Sequence, residues 1–208
     1  VGAEVVFNTS MSGYQEILTD PSYKGQIVLM TQTHIGNYGV TSEDEESDRA
    51  YLSGVIVRAL TARPSNFRAQ ESLGAYLARR NVVGIAGIDT RAVTKLLRVE
   101  GSLRGVISTG DLDDASLVAK ARAVPSLVGR DLVAPVTTRA IERWTEGFHT
   151  PWAYSDFRER AGGLRIVAMD FGIKYHIARI LAGIGFEVWR VPAHATAEEI
   201  MALEPDGL

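Results

Sequence analysis

The chain has 208 residues, 46% apolar and 23% charged, an ordinary globular balance with room for one large domain or one domain and part of a second. The formal net charge is −3 with Lys and Arg scattered, so the basic excess that a nucleic-acid binder gathers on one face is missing. There is no cysteine, which excludes disulfides, zinc–thiolate sites and thiol catalysis within these residues. No apolar run approaches the ~20 residues that span a bilayer, and no basic-then-apolar leader opens the chain. The default expectation is a soluble cytoplasmic protein with neither membrane nor nucleic acid as partner.

Glu4–Phe7 reads as a strand, and Gln26–Met30 and Gly54–Val57 are short β-branched runs of the kind found in buried strands. Between them, Glu43-Asp44-Glu45-Glu46-Ser47-Asp48 is the densest charge run and reads as a solvated loop. Glu71–Arg80 carries Leu73, Tyr76 and Leu77 on one helical stripe. Val82–Ile88 is a strand candidate. Asp89 or Thr90 is placed to cap a helix to about Glu100, with Val93, Leu96 and Leu97 as its stripe and Gly101 closing it in the left-handed conformation. Leu103–Ile107 returns as a strand, and Asp113 or Asp114 starts a helix to about Ala123.

Pro125–Gly163 breaks the rhythm with clustered Pro and Gly, and reads as an irregular connection with one short helix. Trp144 and Trp152 within it suggest packing on a domain surface, since large aromatics bury ~150–250 Å² each. From Arg165 a new pattern begins. Ile166–Met169 has the continuous apolar character of a parallel strand covered on both faces. Lys174–Gly183 follows as a helix with Ile177, Ile180, Leu181 and Ile184 on its stripe. Phe186–Val191 is the next strand, and Thr196 caps a helix through Leu203 with Glu199 completing a capping box. Strand, helix, strand, helix and an opening strand at Leu208 are the start of a doubly wound α/β domain. Both ends read as cut, and further sequence is expected beyond them.

The chemistry-bearing residues are few. Asp170-Phe171-Gly172 matches the kinase metal-binding triplet, but no Gly-rich nucleotide loop precedes it and no His-Arg-Asp loop occurs. Its position at the carboxyl end of the first strand of an α/β unit is where such sheets place ligands; a plain strand-to-helix turn, with Lys174 opening the helix, is an equal reading. His34, His149, His176 and His194 show no metal-ligand spacing and no HExxH, so no metal is expected. His34 reads as turn-stabilising. Ser22, in Thr19-Asp20-Pro21-Ser22-Tyr23, reads as a turn residue with no Gly-x-Ser-x-Gly elbow around it. Residue reasoning alone stops at a soluble, two-domain α/β protein.

Longer motifs carry a resemblance. Phe7–Tyr23, Thr33–Gly39, Arg63–Arg68 and Gly87–Arg91 with Leu96, Leu97 and Arg98 resemble the amino-terminal domain of the small, glutamine-using subunit of carbamoyl phosphate synthetase. Val167–Lys174, Val191-Pro192-Ala193 and Glu204–Gly207 are similar to the entry of its class I glutamine amidotransferase domain. The implied fold is α/β: a mixed small-subunit domain over residues 1–124, a connecting segment over 125–163, and the first elements of a flavodoxin-like glutaminase domain, truncated, over 164–208.

The resemblance further implies glutamine hydrolysis to glutamate and ammonia through a cysteine thioester, with a histidine–glutamate pair moving protons. The ammonia would pass to a large subunit that holds ATP and Mg and makes carbamoyl phosphate from bicarbonate, for arginine and pyrimidine synthesis. In that family Ser22 would help hold the L-glutamine substrate, since a hydroxyl both donates and accepts. Lys174 would lie near the same pocket in an orienting or structural role. The Gly-rich loop, cysteine and histidine–glutamate pair of that machinery are absent from these residues. No catalytic residue and no cofactor is therefore assigned to the chain, and it is expected to be inactive alone. A non-catalytic docking module of the synthetase complex is the alternative. The unfinished second domain is expected to be clipped near Pro151–Gly163.

Overall fold

The parallel pair of β1 (Gly2–Asn8) and β2 (Gln26–Met30), with Val5 opposite Ile27, is the middle of the first sheet. In this computed structural model residues 1–147 and 161–208 are described, and they divide into two units, Val1–Arg130 and Asp131–Leu208. β4 (Gly54–Ile56) adds to β2 and β6 (Val83–Ile85) adds to β4, both parallel. β7 (Leu103–Val106) closes the opposite side antiparallel to β1, giving the order β6-β4-β2-β1-β7. β3 (His34–Ile35) and β5 (Ala59–Leu60) form a small parallel pair of their own. His34, expected in a turn, thus begins a strand and is exposed.

Alternation along the strands distributes the core to both faces of this sheet. Val28, Met30 and Val55 pack with Tyr14 and Leu18 of α1 (Tyr14–Thr19) and with Leu73, Tyr76 and Leu77 of α2 (Leu73–Arg79). Ala3, Val5 and Ile27 pack with Leu97 of α3 (Thr90–Glu100) and with Ile107. Covered on both sides, Ile27, Val28, Leu29 and Met30 are all 1% exposed or less.

Capping sets the helix starts. Asp89 accepts from the Ala92 amide, and Asp113 accepts from Ser116 at the start of α4 (Asp114–Ala123). Ser72 accepts from Ala75, so α2 begins inside the predicted Glu71–Arg80 span. Gly101 ends α3 with φ 83° and ψ −166°, a conformation essentially restricted to glycine, in place of the left-handed helical one expected.

In the second unit β9 (Arg165–Asp170) pairs in parallel with β10 (Glu187–Pro192). β8 (Glu142–Trp144) lies antiparallel on the far side of β10. This strand falls in the stretch expected to be irregular; three residues between loops leave too short an alternation to recognise. Trp144 of β8 is half-buried with its ring edge-on to Tyr175 at 4.9 Å, while Trp152 lies outside the described residues. On the other side of β9, Ile166 bridges in parallel to Gly207, and the Val167 amide donates to the Gly207 carbonyl at 3.0 Å.

The crossover through α5 (Tyr175–Ile184) therefore runs from β9 to β10, and the one through α6 (Ala197–Met201) runs from β10 back past β9 to Gly207. That is the doubly wound pattern, with its switch point at the carboxyl end of β9. Val167, Val191 and Ile200 form the core here, and the Thr196–Glu199 capping box is present in full. The α5 stripe differs from expectation. Ile177 and Ile180 are about half exposed, and the helix instead turns Ala178 and Arg179 inward, with the Arg179 guanidinium 3.3 Å from Glu146 and over the Tyr175 ring.

Candidate functional site

Ser22 sits in the first unit on a single 3-10 turn, Pro21–Tyr23. Its side chain is exposed. The backbone beneath it is not free: the buried Asp20 carboxylate accepts from the Ser22 amide at 2.8 Å, and Tyr23 and Lys24 donate to the carbonyls of Asp20 and Pro21. Pro21 presets the first φ of the turn. Asn8, at the end of β1, donates from its side-chain amide to the Tyr23 hydroxyl at 2.9 Å. A hydroxyl that faces solvent on a turn held from below can receive a polar ligand with little reorganisation.

α1 leads into that turn, and the segment 38–47 runs along it. The Tyr38 hydroxyl accepts from the Gly13 and Tyr14 amides at 2.7 and 3.0 Å, occupying donors that the helix start leaves unpaired. Tyr38 and Tyr14 stack at 4.1 Å, and the Tyr14 hydroxyl donates to the Gly39 carbonyl at 2.6 Å. Burial, reinforced by the Tyr38 phenol, raises the Tyr14 pKa above its ordinary range; burial pushes Tyr38 up to about 12.

One residue on, the buried Gln15 amide donates to the Thr41 carbonyl at 2.6 Å and accepts from the Thr41 amide at 2.9 Å. At the helix end, Thr19 Oγ1 donates to the Gln15 carbonyl and accepts from the Glu46 amide at 2.8 Å. Ser47 Oγ donates to the Thr19 carbonyl at 2.5 Å.

Of the acidic run Glu43–Asp48, expected as a solvated loop from its charge, only Asp48 is exposed. Glu46 and Ser47 are buried, and Glu43, Asp44 and Glu45 are half-buried. Arg68 reaches Glu43 and Asp44 at 2.9 and 2.7 Å, and Arg80 reaches Glu45 at 2.5 Å. The Tyr76 hydroxyl also donates to Glu45. Sequence reasoning missed Gln15, Thr19 and Ser47. The available signal was two polar residues at i and i+4 on an otherwise apolar helix face.

Lys174 sits in the second unit, half-buried, as the residue before α5, at φ −75° and ψ 138°. The turn leading to it is built by Asp170, which is 2% exposed. One carboxylate oxygen accepts from the Gly172 and Ile173 amides at 2.8 Å each, and the other accepts from the Thr138 amide at 2.8 Å. Gly172, at φ 99°, supplies the left-handed step that brings both amides round. Arg190 on β10 approaches the same carboxylate at 3.7 Å, pairs with Glu142 of β8, and lies over the Trp144 and Tyr175 rings at 5.6 and 5.8 Å. Burial acts to lower the Arg190 pKa, but the hydrogen bond it donates to Glu142 and the nearby Glu142 and Asp170 charges outweigh it and hold it raised. The Asp-Phe-Gly triplet is thus a charge-assisted staple at the switch point. Phe171 itself is 58% exposed.

Among the described residues no group of three or more His, Asp or Glu side chains is gathered to hold a metal ion, and no helix is long and apolar enough to cross a membrane.

Fold and turns together define a two-unit α/β protein with a pinned serine turn in the first unit and flavodoxin-like strand order in the second. Residues 1–107 match the family described as carbamoyl-phosphate synthase small chain, CPSase domain. Over nearly its whole length the chain is similar to curated proteins named carbamoyl phosphate synthase small chain. It is 51% identical to that of Rhodopirellula baltica over 213 residues, covering 99% of this chain and 54% of the relative. It is 53% identical to that of Syntrophotalea carbinolica over 211 residues (100% and 55%), and 47% identical to that of Synechocystis sp. over 207 residues (99% and 54%). The chain belongs to the carbamoyl-phosphate synthase small chain family. It spans about half the length of these relatives.

Proposed function

We propose that this chain serves in a glutamine-hydrolysing small subunit of carbamoyl phosphate synthase. Its own part is to hold the L-glutamine substrate through Ser22 and to dock on the large, ATP- and Mg-using subunit to which ammonia is delivered. Carbamoyl phosphate for arginine and pyrimidine synthesis in the cytoplasm would be the product. The observation that carries the reading is Ser22 itself: an exposed hydroxyl on a turn fixed by Asp20, in a chain whose family is settled by its sequence. Such a hydroxyl donates to a carboxylate and accepts from an ammonium, the two groups at the amino-acid end of glutamine. Lys174, at the carboxyl end of β9 where doubly wound sheets bind ligands, is proposed as a pocket-supporting residue.

The sequence holds no cysteine, so the covalent step falls to residues outside it. Attack of a thiolate on the side-chain amide would expel ammonia and leave a thioester, and water would release glutamate. The 208 residues alone are expected to release no glutamate from glutamine. The full-length small chain carrying them, assayed with its large partner, is expected to release it and to lose that activity on thiol alkylation. Glutamate release by the 208 residues alone would overturn the proposal, and so would activity of the full-length chain that survives alkylation. A full-length chain that docks on the partner without hydrolysing glutamine would establish the docking-module reading instead.

A further inference from the structure

We infer that the segment Tyr38–Ser47 is a splint that sets the position of Ser22, with Thr19 and Ser47 as positioning residues for glutamine. The inference rests on the reading of Ser22 as a glutamine contact.

α1 has six residues and Gly13 at its N-cap makes no side-chain cap, so the helix is far shorter than one that holds its shape alone. Its form must come from what it is bound to. All three levels of the helix are bound to this one continuous segment: Tyr38 at its first amides, Thr41 at Gln15, and Glu46 and Ser47 at Thr19. The splint is in turn gripped from its other side by Arg68 and Arg80. Thr19 is 0% exposed and three residues before Ser22; its hydroxyl and carbonyl both bind the splint, and the next residue, Asp20, holds the Ser22 amide. Loosening the contact at Thr19 therefore loosens the anchor beside the residue that holds the turn. A displacement of about 1 Å in a binding group, caused by a change remote from the reacting atoms, is enough to lower catalytic efficiency severely.

The test uses the full-length small chain with its large partner and follows glutamine saturation. Thr19→Val keeps the shape and removes the hydroxyl; it is expected to raise KM for glutamine ~5- to 10-fold, with kcat falling by much less, the signature of lost substrate binding. Thr19→Ser, which restores the hydroxyl, is expected to return KM to within ~2-fold of the parent. Ser47→Ala, made in the loop and not in the helix, gives the same reading where Thr19→Val lowers the folded yield. Ser22→Ala separates the two ideas. A raised KM in Ser22→Ala with an unchanged KM in both Thr19→Val and Ser47→Ala would overturn the splint while leaving Ser22 as a glutamine contact. An unchanged KM in Ser22→Ala would remove that contact, and the inference with it. A loss in Thr19→Val that Thr19→Ser does not restore would likewise contradict positioning by the hydroxyl.

Discussion

The two units fix a short turn by different means. In the first, the Ser22 turn, its amide held by Asp20, hangs from a helix zipped to a neighbouring segment by neutral groups: a carboxamide, two hydroxyls and backbone amides, all buried. In the second, the turn before Lys174 is fixed by one buried carboxylate that collects three amides beside an arginine. Neutral bonds are individually modest and share the burden over several residues. A buried charge concentrates it on one, and losing that one leaves its partner uncompensated. The helix that carries the first turn should thus tolerate single changes better than the second turn.

The contrast can be read separately in each unit, because all three tryptophans, Trp144, Trp152 and Trp189, lie in the second and none in the first. The largest effect is expected from Asp170→Ala, which leaves three amides without their acceptor and takes a nearby charge from Arg190, which keeps Glu142 as its partner. Each amide left without its acceptor costs about 1–3 kcal/mol, so the denaturant midpoint followed by tryptophan fluorescence should fall sharply. A shift no larger than that of an ordinary surface substitution would show that Asp170 is not the staple.

Next is Gln15→Leu, which leaves the Thr41 amide and carbonyl buried without their partner. The expected cost is about 2 kcal/mol, seen in the tyrosine near-ultraviolet dichroism of the first unit, with the tryptophan transition unmoved. An equal shift in both probes would break the distinction between the units.

The first unit should also be sensitive to alkali. Tyr14 is raised beyond the ordinary tyrosine range, and burial pushes Tyr38 and Tyr76 up to about 12 from 10.0. With the folded pKa above the unfolded one, this stability is fully present below pH 10.0 and is lost as the pH rises toward about 12. Tyrosinate absorbance and unfolding of the first unit should therefore rise together. Tyrosines that ionise near pH 10.0 in the folded chain would contradict the burial of this cluster.

The smallest effect is Thr196→Ala. It removes half of a capping box on an exposed helix start, for about 1 kcal/mol in the tryptophan transition. Thr196→Ser should restore it.

Much of the scaffold was legible because its signals are local. The β-branched runs at Gln26–Met30 and Ile166–Met169 became strands, and Asp89, Asp113 and the Thr196–Glu199 pair capped the helices expected of them. What was hidden depends on partners distant in the chain. Charge density made Glu43–Asp48 read as solvent-facing, whereas Arg68 and Arg80, 24 to 35 residues away, pair with Glu43, Asp44 and Glu45. Thr19 drew no notice beside Ser22, because nothing nearby announces that Glu46 and Ser47 close over it. Helical periodicity placed Ile177 and Ile180 inward, but periodicity fixes a stripe and not the side of the helix that finds a partner. Arg179, drawn in by Glu146 and Tyr175, turned α5 the other way. Ser22 could be placed in a turn by its neighbours, and its exposure on a held backbone became visible only with the fold.

The central claim is that Ser22 touches glutamine, and steady-state glutamine hydrolysis by the full-length small chain carrying Ser22→Ala, in complex with its large partner, tests it most directly. Loss of one hydrogen bond to a charged substrate group, worth about 1.5–3 kcal/mol, predicts a KM for glutamine raised at least ~10-fold. A KM equal to that of the parent, in a chain that folds and docks normally, would contradict the account.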